Sequence, residues 1–372
     1  MAVAVVAGAL ANKPGSGGEA WVRLSWVLGL QRLGFDVCLV ERLPEEDFGS
    51  QRFFEAVVAR FGLHGQAVLL DGKGNALYGQ GERELVAMAA EADLLFNISG
   101  HLAEGPLLAA PKRRIYVDLD PGFTQAWHAD PSLEFTVAGH DRYLTVGQNI
   151  GTPACPVPVD GIEWIPTLPP VLLEEWAPAP APQGPPVFTT VATWRSPYGT
   201  LEIDGREMGL KHHQFRRFAT LPERVEGVEF ELALDIHPGD AADLELLRSH
   251  GWKLVDPGVA AGTPDAFREY VRGSGAEFSV AQGVYVEAAT GWFSDRTAAY
   301  LASGRPAVVQ DTGISSGSAG LLGFDDLDAA VAAVEGVRDE WEQRAAAARV
   351  FAEKCLDSDR VLGHVLELVG EG

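Results

Sequence analysis

Along the chain, short apolar runs alternate with longer stretches of helical spacing. Residues 2 to 8 are one such run, residues 18 to 34 follow with helical spacing up to Gly34, and Phe35-Asp-Val-Cys-Leu-Val40 is the next run. Strands buried on both faces lose the alternation of a half-exposed strand, so this opening predicts a β-α-β unit. Helical patterns near 50 to 62 and 80 to 91 then alternate with predicted strands at 66 to 70, 93 to 98 and 114 to 117. From Pro166 to Pro186 the pattern breaks, with eight prolines in 21 residues, and such a segment cannot sit inside a helix or a central strand. A second series follows, with strands near 187 to 193, 229 to 235, 252 to 255, 277 to 281 and 306 to 310. Helices are expected near 240 to 250, 264 to 273 and 294 to 303. Residues 325 to 370 read as two or three terminal helices, with Asp357 or Ser358 as a cap.

The predicted architecture is therefore α/β, with two Rossmann-like domains of mainly parallel sheet facing a central cleft. The expected division is 1–175, 176–350 and a terminal helix at 351–372 that packs back on the N-terminal domain. A length of 372 residues agrees, because one hydrophobic core seldom keeps growing to that size.

Charge and cysteine content narrow the partners. With 52 acidic and 29 basic residues the formal charge is -23, which argues against nucleic acid or anionic lipid as partners and requires a local basic pocket for any anionic ligand. Cys38, Cys155 and Cys355 are widely spaced, so neither a disulfide framework nor a zinc site is indicated. The apolar start, Met1 to Ala11, lacks a basic n-region and reads as a buried strand. No run reaches the roughly 18 apolar residues of a membrane helix, and a soluble, cytoplasmic protein is expected. Oligomeric state is left open.

Tandem doubly wound domains bind ligands in the crevice outside the carboxyl ends of their strands, so residues directly after strands are the site candidates. In the first domain, Asn12-Lys-Pro-Gly15-Ser16-Gly17-Gly18 could let a backbone approach a phosphate or sugar, although it is neither a dinucleotide fingerprint nor a Walker loop. Asn97-Ile-Ser-Gly-His101 offers an imidazole as a sugar partner or general base, with a surface or capping histidine as the alternative. Asp118-Leu-Asp120-Pro-Gly122 offers one carboxylate to take a proton from an acceptor hydroxyl and another to cap the turn. Read as a metal-binding D-x-D pair, it lacks a further acidic partner nearby.

The second domain carries the donor-side candidates. Trp194-Arg195 follows its first strand and Lys211 opens a helix, so Arg195 and Lys211 would supply positive charge to a diphosphate. Residues 276 to 286 read as a buried strand broken at Gln282-Gly283, where a nucleobase could be recognised. Trp292 and Phe293 could stack on that base or pack between the domains. Ser294 and Asp295 are placed to cap a helix whose first-turn N–H groups attract an anion, and Asp295 with Arg296 could hold a ribose diol and a phosphate together. Asp311 and Thr312, after the next strand, would then meet sugar hydroxyls.

Segments spread over nearly the whole chain carry a resemblance: 18 to 26, 32 to 35, 97 to 101, Tyr116-Val-Asp-Leu-Asp-Pro-Gly-Phe-Thr-Gln125, Trp194-Arg195, 209 to 211, 277 to 286 and 291 to 313. With them the chain resembles a group of bacterial GT-B glycosyltransferase-like proteins. That resemblance implies a nucleotide-activated sugar donor and no obligatory metal, while the acceptor differs widely among such enzymes; the expectation here is a nucleotide-diphosphate sugar donor of the UDP or dTDP type, hexosyl or deoxyhexosyl transfer to a small-molecule acceptor, and no cofactor. The spacing of Glu287 and Asp295 is only loosely similar to the E-x7-E pair of some retaining members, and residues 314 to 324 depart from the expected glycine loop. Two other expectations remain open: a sugar-nucleotide epimerase of the same architecture, and a non-catalytic binding protein that supports a partner enzyme.

Overall fold

The computed structural model describes residues 2–196, 198–314 and 317–370. Two parallel sheets dominate it. The first contains β1 (Val3–Ala7), β2 (Asp36–Arg42), β3 (Ala67–Leu70), β4 (Ala76–Tyr78), β5 (Leu94–Ile98), β6 (Arg114–Asp118), β7 (Arg142–Thr145) and β8 (Trp164–Pro166), in the order β4-β3-β2-β1-β5-β6-β7-β8. Only the β3–β4 pair in it is antiparallel. The second part of the chain contains β9 (Val187–Thr193), a two-stranded hairpin of β10 (Leu201–Ile203) and β11 (Arg206–Met208), then β12 (Glu229–Asp235), β13 (Lys253–Val255), β14 (Ala276–Ser279), β15 (Ala307–Gln310) and β16 (Leu321–Phe324). Its main sheet runs β13-β12-β9-β14-β15-β16.

The order of each sheet reverses once, between β1 and β5 in the first and between β9 and β14 in the second. Loops leaving neighbouring strands diverge there and open a crevice. Register sharpens the effect: Ala7 lies opposite Asn97, and Asn97 opposite Tyr116, so the loops after β1, β5 and β6 emerge on one edge.

Four apolar clusters hold the layers together. One fills the second sheet around Phe215, Phe218, Phe230, Trp252 and Phe278, and one covers a face of the first sheet around Val5, Val40, Leu70 and Leu95. The other two cross between the lobes. In one of these, Trp21 on the helix Gly17–Arg32 packs on Trp176, which packs edge-on to Phe267, and the Trp21 indole N–H donates to the Pro264 carbonyl at 2.8 Å. Gly17 is obligatory at this contact, since a Cβ there would lie 2.0 Å from the Thr263 carbonyl oxygen.

The proline-rich segment between β8 and β9 is pinned rather than loose. Val171 exchanges backbone hydrogen bonds with Leu356 and Ser358, and the Arg305 guanidinium donates to Pro180. The chain crosses here through a one-turn π-helix, Ala352–Leu356, into the terminal helix Ser358–Gly370. That helix lies against the first helix: a Cβ on Gly29 would meet Leu362 at 2.5 Å.

Two sequence expectations change. Residues 276 to 286 are not one broken strand, because β14 stops at Ser279 and Gly283–Glu287 is a short helix. The hairpin β10–β11, the edge strands β4, β8 and β16, the strand β7 and the helix Phe123–Ala129 are additional elements. All are short, so their periodicity is too brief to read. In the segment 314 to 324, Ser315 and Ser316 lie outside the described residues, as does Pro197 after Trp194-Arg195.

Candidate functional site

The first-lobe side of the crevice is built on a self-locking turn. Asp118, fully buried at the end of β6, accepts from the Asp120 N–H (2.9 Å) and Thr124 Oγ1 (2.6 Å) on one oxygen, and from Gln125 Nε2 (2.8 Å) and Thr145 Oγ1 (2.7 Å) on the other. Gln125 Oε1 in turn accepts the Gly122 N–H at 2.6 Å. Four donors saturate a carboxylate, so Asp118 is a scaffold and not a catalytic group or metal ligand. Its neighbour Asp120 is what the turn presents. Burial and then the adjacent Asp118 charge push the Asp120 carboxyl up to about 6.

His101 stands at the same edge. Asn97, fully buried, holds its loop by bonding both the N–H and the carbonyl of Leu102. Burial, then Arg23 and Lys13, lower His101 to about 4. It is a neutral imidazole at neutral pH, fit to hydrogen-bond a hydroxyl and poorly basic, which leaves Asp120 as the better proton acceptor.

The loop directly after β1 is anchored from within. The Glu41 carboxylate, 2% exposed, accepts the backbone N–H groups of Leu10, Ala11 and Asn12 at 2.7, 2.5 and 2.7 Å. A protein carboxylate thus takes the N–H groups directly after β1, upstream of Gly15, Ser16 and Gly17, which were expected to cradle a donor phosphate. Gly15 is exposed, Ser16 makes no capping bond, and Gly17 is the interlobe contact described above.

The first helix contributes two groups that sequence reading passed over. Arg23, 3% exposed, pairs with Glu19 one turn earlier. Burial raises Glu19, but Arg23 and Lys13 outweigh it and hold the carboxyl below its usual range. Both side chains act electrostatically on Asp120, on Asp295 and on His101, so they line the same space. The i,i+4 spacing of the pair was the available signal.

Across the crevice, Lys211 opens the helix Lys211–Arg216, and its N–H donates to Gln282 Oε1 at 2.8 Å. Gln282 therefore positions the lysine, and Gly283 lets the two segments touch: a Cβ there would lie 2.3 Å from the Gly209 carbonyl oxygen. The Lys211 ammonium forms no ion pair among the described residues. Burial, then Arg296, lower it to about 8, and Asp120 and Asp295 oppose that shift. A cation so placed is pre-set for an anion.

Ser294 holds the N-cap position of the helix Asp295–Ala302 without making a side-chain capping bond. Asp295 is reached by solvent, yet the cleft walls and then Glu19 raise it to about 6. Beside this helix start lies a cavity of about 490 Å³ including its mouth, lined by Ser279, Trp292, Ser294, Thr297, Asp311 and Thr312 among others. It opens at the carboxyl ends of β14 and β15. Asp311 is exposed there, whereas the Thr312 hydroxyl is engaged with the Trp292 carbonyl at 2.8 Å. Trp292 stacks on Tyr285 (4.6 Å, 28°), and Phe293, 4% exposed, is core packing.

Three donor-side expectations are corrected. Trp194 is 1% exposed and its indole N–H donates to Asp243, so it belongs to the core. Arg195 forks onto Asp240 at the surface (2.6–3.0 Å). The Arg296 guanidinium turns inward, to Glu277 (2.7 Å), Ser279 and the Val191 carbonyl, and offers the cleft its potential rather than a free fork. For both arginines an acidic residue elsewhere in the chain neutralises the side chain.

No protein-family model matches the chain, and no curated protein sequence does. Solved structures do, and they define the fold as that of GT-B glycosyltransferases. Among them are an alpha-glucosyltransferase in complex with UDP (11% identity, TM-score 0.63, all of both chains covered) and Anabaena HepE in complex with UDP and glucose (12%, 0.58, all of both chains). A glycosyltransferase from Rickettsia africae is a third (11%, 0.56, all of this chain and 98% of the other). The alpha-glucosyltransferase is also seen with UDP and a 13-mer DNA (11%, 0.61, 99% of both chains). The exclusion of nucleic acid as a partner is therefore withdrawn. A formal charge sums over a whole surface and does not describe one groove. Among the described residues no helix is long and apolar enough to cross a membrane, and no group of three or more His, Cys, Asp or Glu could hold a metal ion.

Proposed function

We propose that this chain is a glycosyltransferase that moves a hexosyl or deoxyhexosyl group from a nucleoside-diphosphate sugar to an acceptor hydroxyl. The observation that carries the reading is the pairing, across one crevice, of a free Lys211 ammonium and an uncapped helix start with the Asp120 carboxylate. Residues 1–175 serve as the acceptor side, 176–350 as the donor side, and the terminal helix ties the second lobe back to the first.

In this reading the donor pyrophosphate rests between the start of the helix at Ser294 and Lys211, and Asp311 meets a sugar hydroxyl. The acceptor oxygen attacks the anomeric carbon and its proton passes to Asp120. The bond from that carbon to the diphosphate breaks, and the electron pair goes to the phosphate oxygen, where Lys211 and the helix N–H groups stabilise it. The acceptor is read as a small hydroxylated molecule. A largely apolar interlobe cavity of about 590 Å³, running from Leu119 to Asp295 past Trp21, Trp26 and Trp292, supports that reading. The three cysteines are free thiols, which fits a reducing cytoplasm.

The test is incubation with UDP-glucose and dTDP-glucose, alone and with acceptor panels that include duplex DNA. Release of nucleoside diphosphate coupled to a glycosylated product supports the reading. Conversion of the donor sugar without an acceptor would assign an epimerase instead, and donor binding with no turnover would assign an accessory protein.

A further inference from the structure

We propose that Tyr285 is the positioning residue for the Asp120 carboxylate: reaching across from the second lobe, its hydroxyl sets the direction in which that carboxylate faces. The inference rests on the reading of Asp120 as the proton acceptor. The turn after β6 fixes the Asp120 backbone through Asp118 but leaves its side chain untouched. Among the described residues the one hydrogen bond to the Asp120 carboxylate comes from Tyr285 Oη, at 2.9 Å, over a sequence separation of 165 residues.

Tyr285 is itself held rigidly. It is 4% exposed, stacked on Trp292 and edge-on to Phe123 (6.1 Å, 87°). Its helix, Gly283–Glu287, begins directly after Gln282, whose side chain holds the Lys211 N–H. Trp292 belongs to the loop leading into the helix at Ser294, and that loop bonds Gln148 and Asn149 of the first lobe through the Gly291 and Thr290 carbonyls. Lys211, the loop before the helix and Tyr285 therefore form one unit. The direction of the Asp120 carboxylate depends on how that unit is seated against the first lobe, and a lobe that swings away takes the hydrogen bond with it.

The chemistry suits a donor. Burial, then Asp120, raise the Tyr285 phenol well above its ordinary value, so it keeps its proton and does not compete as a base. The other groups facing Asp120 are Tyr116 and Asp118 on β6, Glu19 and Arg23 on the first helix, Tyr198 before β10 and Lys211. Of these, Tyr285 alone touches it directly through a side chain.

The experiment is a carboxyl-carbon NMR titration of protein labelled in aspartate, with the Asp120 signal assigned by D120N. In Y285F the ionised carboxylate loses a donor, so the Asp120 midpoint should rise by about one pH unit, about tenfold in its ionisation constant. An unmoved midpoint in folded Y285F overturns the proposal. In the wild-type protein the phenolic carbon of Tyr285 should titrate with the midpoint of Asp120, and two unrelated midpoints overturn it even if Y285F does not fold. With UDP-glucose turnover as readout, Y285F should lower kcat and move the acidic limb upward with little change in KM. Failure of UDP and UDP-glucose to bind would defeat the functional reading and leave both titrations able to decide the role of Tyr285.

Discussion

Replacement of Lys211 by methionine tests the donor side most directly. In the unliganded chain Lys211 is lowered from 10.5 to about 8, burial being the largest cause. With that value, about nine-tenths of the side chains carry the proton at pH 7 and about one-tenth at pH 9. If the protonated form holds the diphosphate, affinity should fall about tenfold from pH 7 to pH 9, because binding an anion favours the charged form. K211M removes both the interaction and its pH dependence. A hydrogen bond to a charged group contributes about 1.5–3 kcal/mol, so affinity at pH 7 should weaken about 10- to 100-fold. The assay is titration calorimetry of UDP and thymidine diphosphate at constant salt between pH 7 and 9.5, above the phosphate ionisation near about 6. Equal pH slopes in K211M and wild type would refute the placement of Lys211 against the diphosphate.

Other substitutions probe the rest of the site. D120N should lower the transfer rate by about 10²- to 10⁴-fold with nucleotide affinity retained, and should abolish a rate loss that in the wild type sets in as pH falls through about 6, where Asp120 takes up a proton. R195A should leave nucleotide affinity unchanged in calorimetry, because Asp240 already holds that guanidinium at the surface. R296M strands the fully buried Glu277 without its partner and should cost about 3–5 kcal/mol in denaturant unfolding, with E277Q/R296M recovering part of the loss.

Much of the fold was legible because parallel strands buried on both faces and helices ended by glycine or proline leave long, strong patterns. The runs at 2 to 8, 93 to 98, 114 to 117 and 187 to 193 coincide closely with β1, β5, β6 and β9. The segment 276 to 286 misled, since Gly283–Glu287 is as apolar as the strand before it, and its close approach to Gly209 is a contact that local pattern does not carry. Of the residues proposed for the site, His101 and Asp120 were pointed to by strand ends, and Lys211 and Ser294 by helix starts. Which of the neighbouring polar residues face the cleft was not legible.

Local pattern thus determined the strand and helix order, the proline-rich passage between the two sheets, and the loops from which polar groups emerge, since each follows from contacts within a few residues. The tertiary structure decided which charges stay free. Glu41 takes the N–H groups directly after β1, Glu277 takes Arg296 and Asp240 takes Arg195, whereas among the described residues Lys211 has no ion pair and the Asp120 carboxylate is hydrogen-bonded by Tyr285 alone. The partners in those pairs lie far apart along the chain, and whether a charge is neutralised depends on distances that only packing sets.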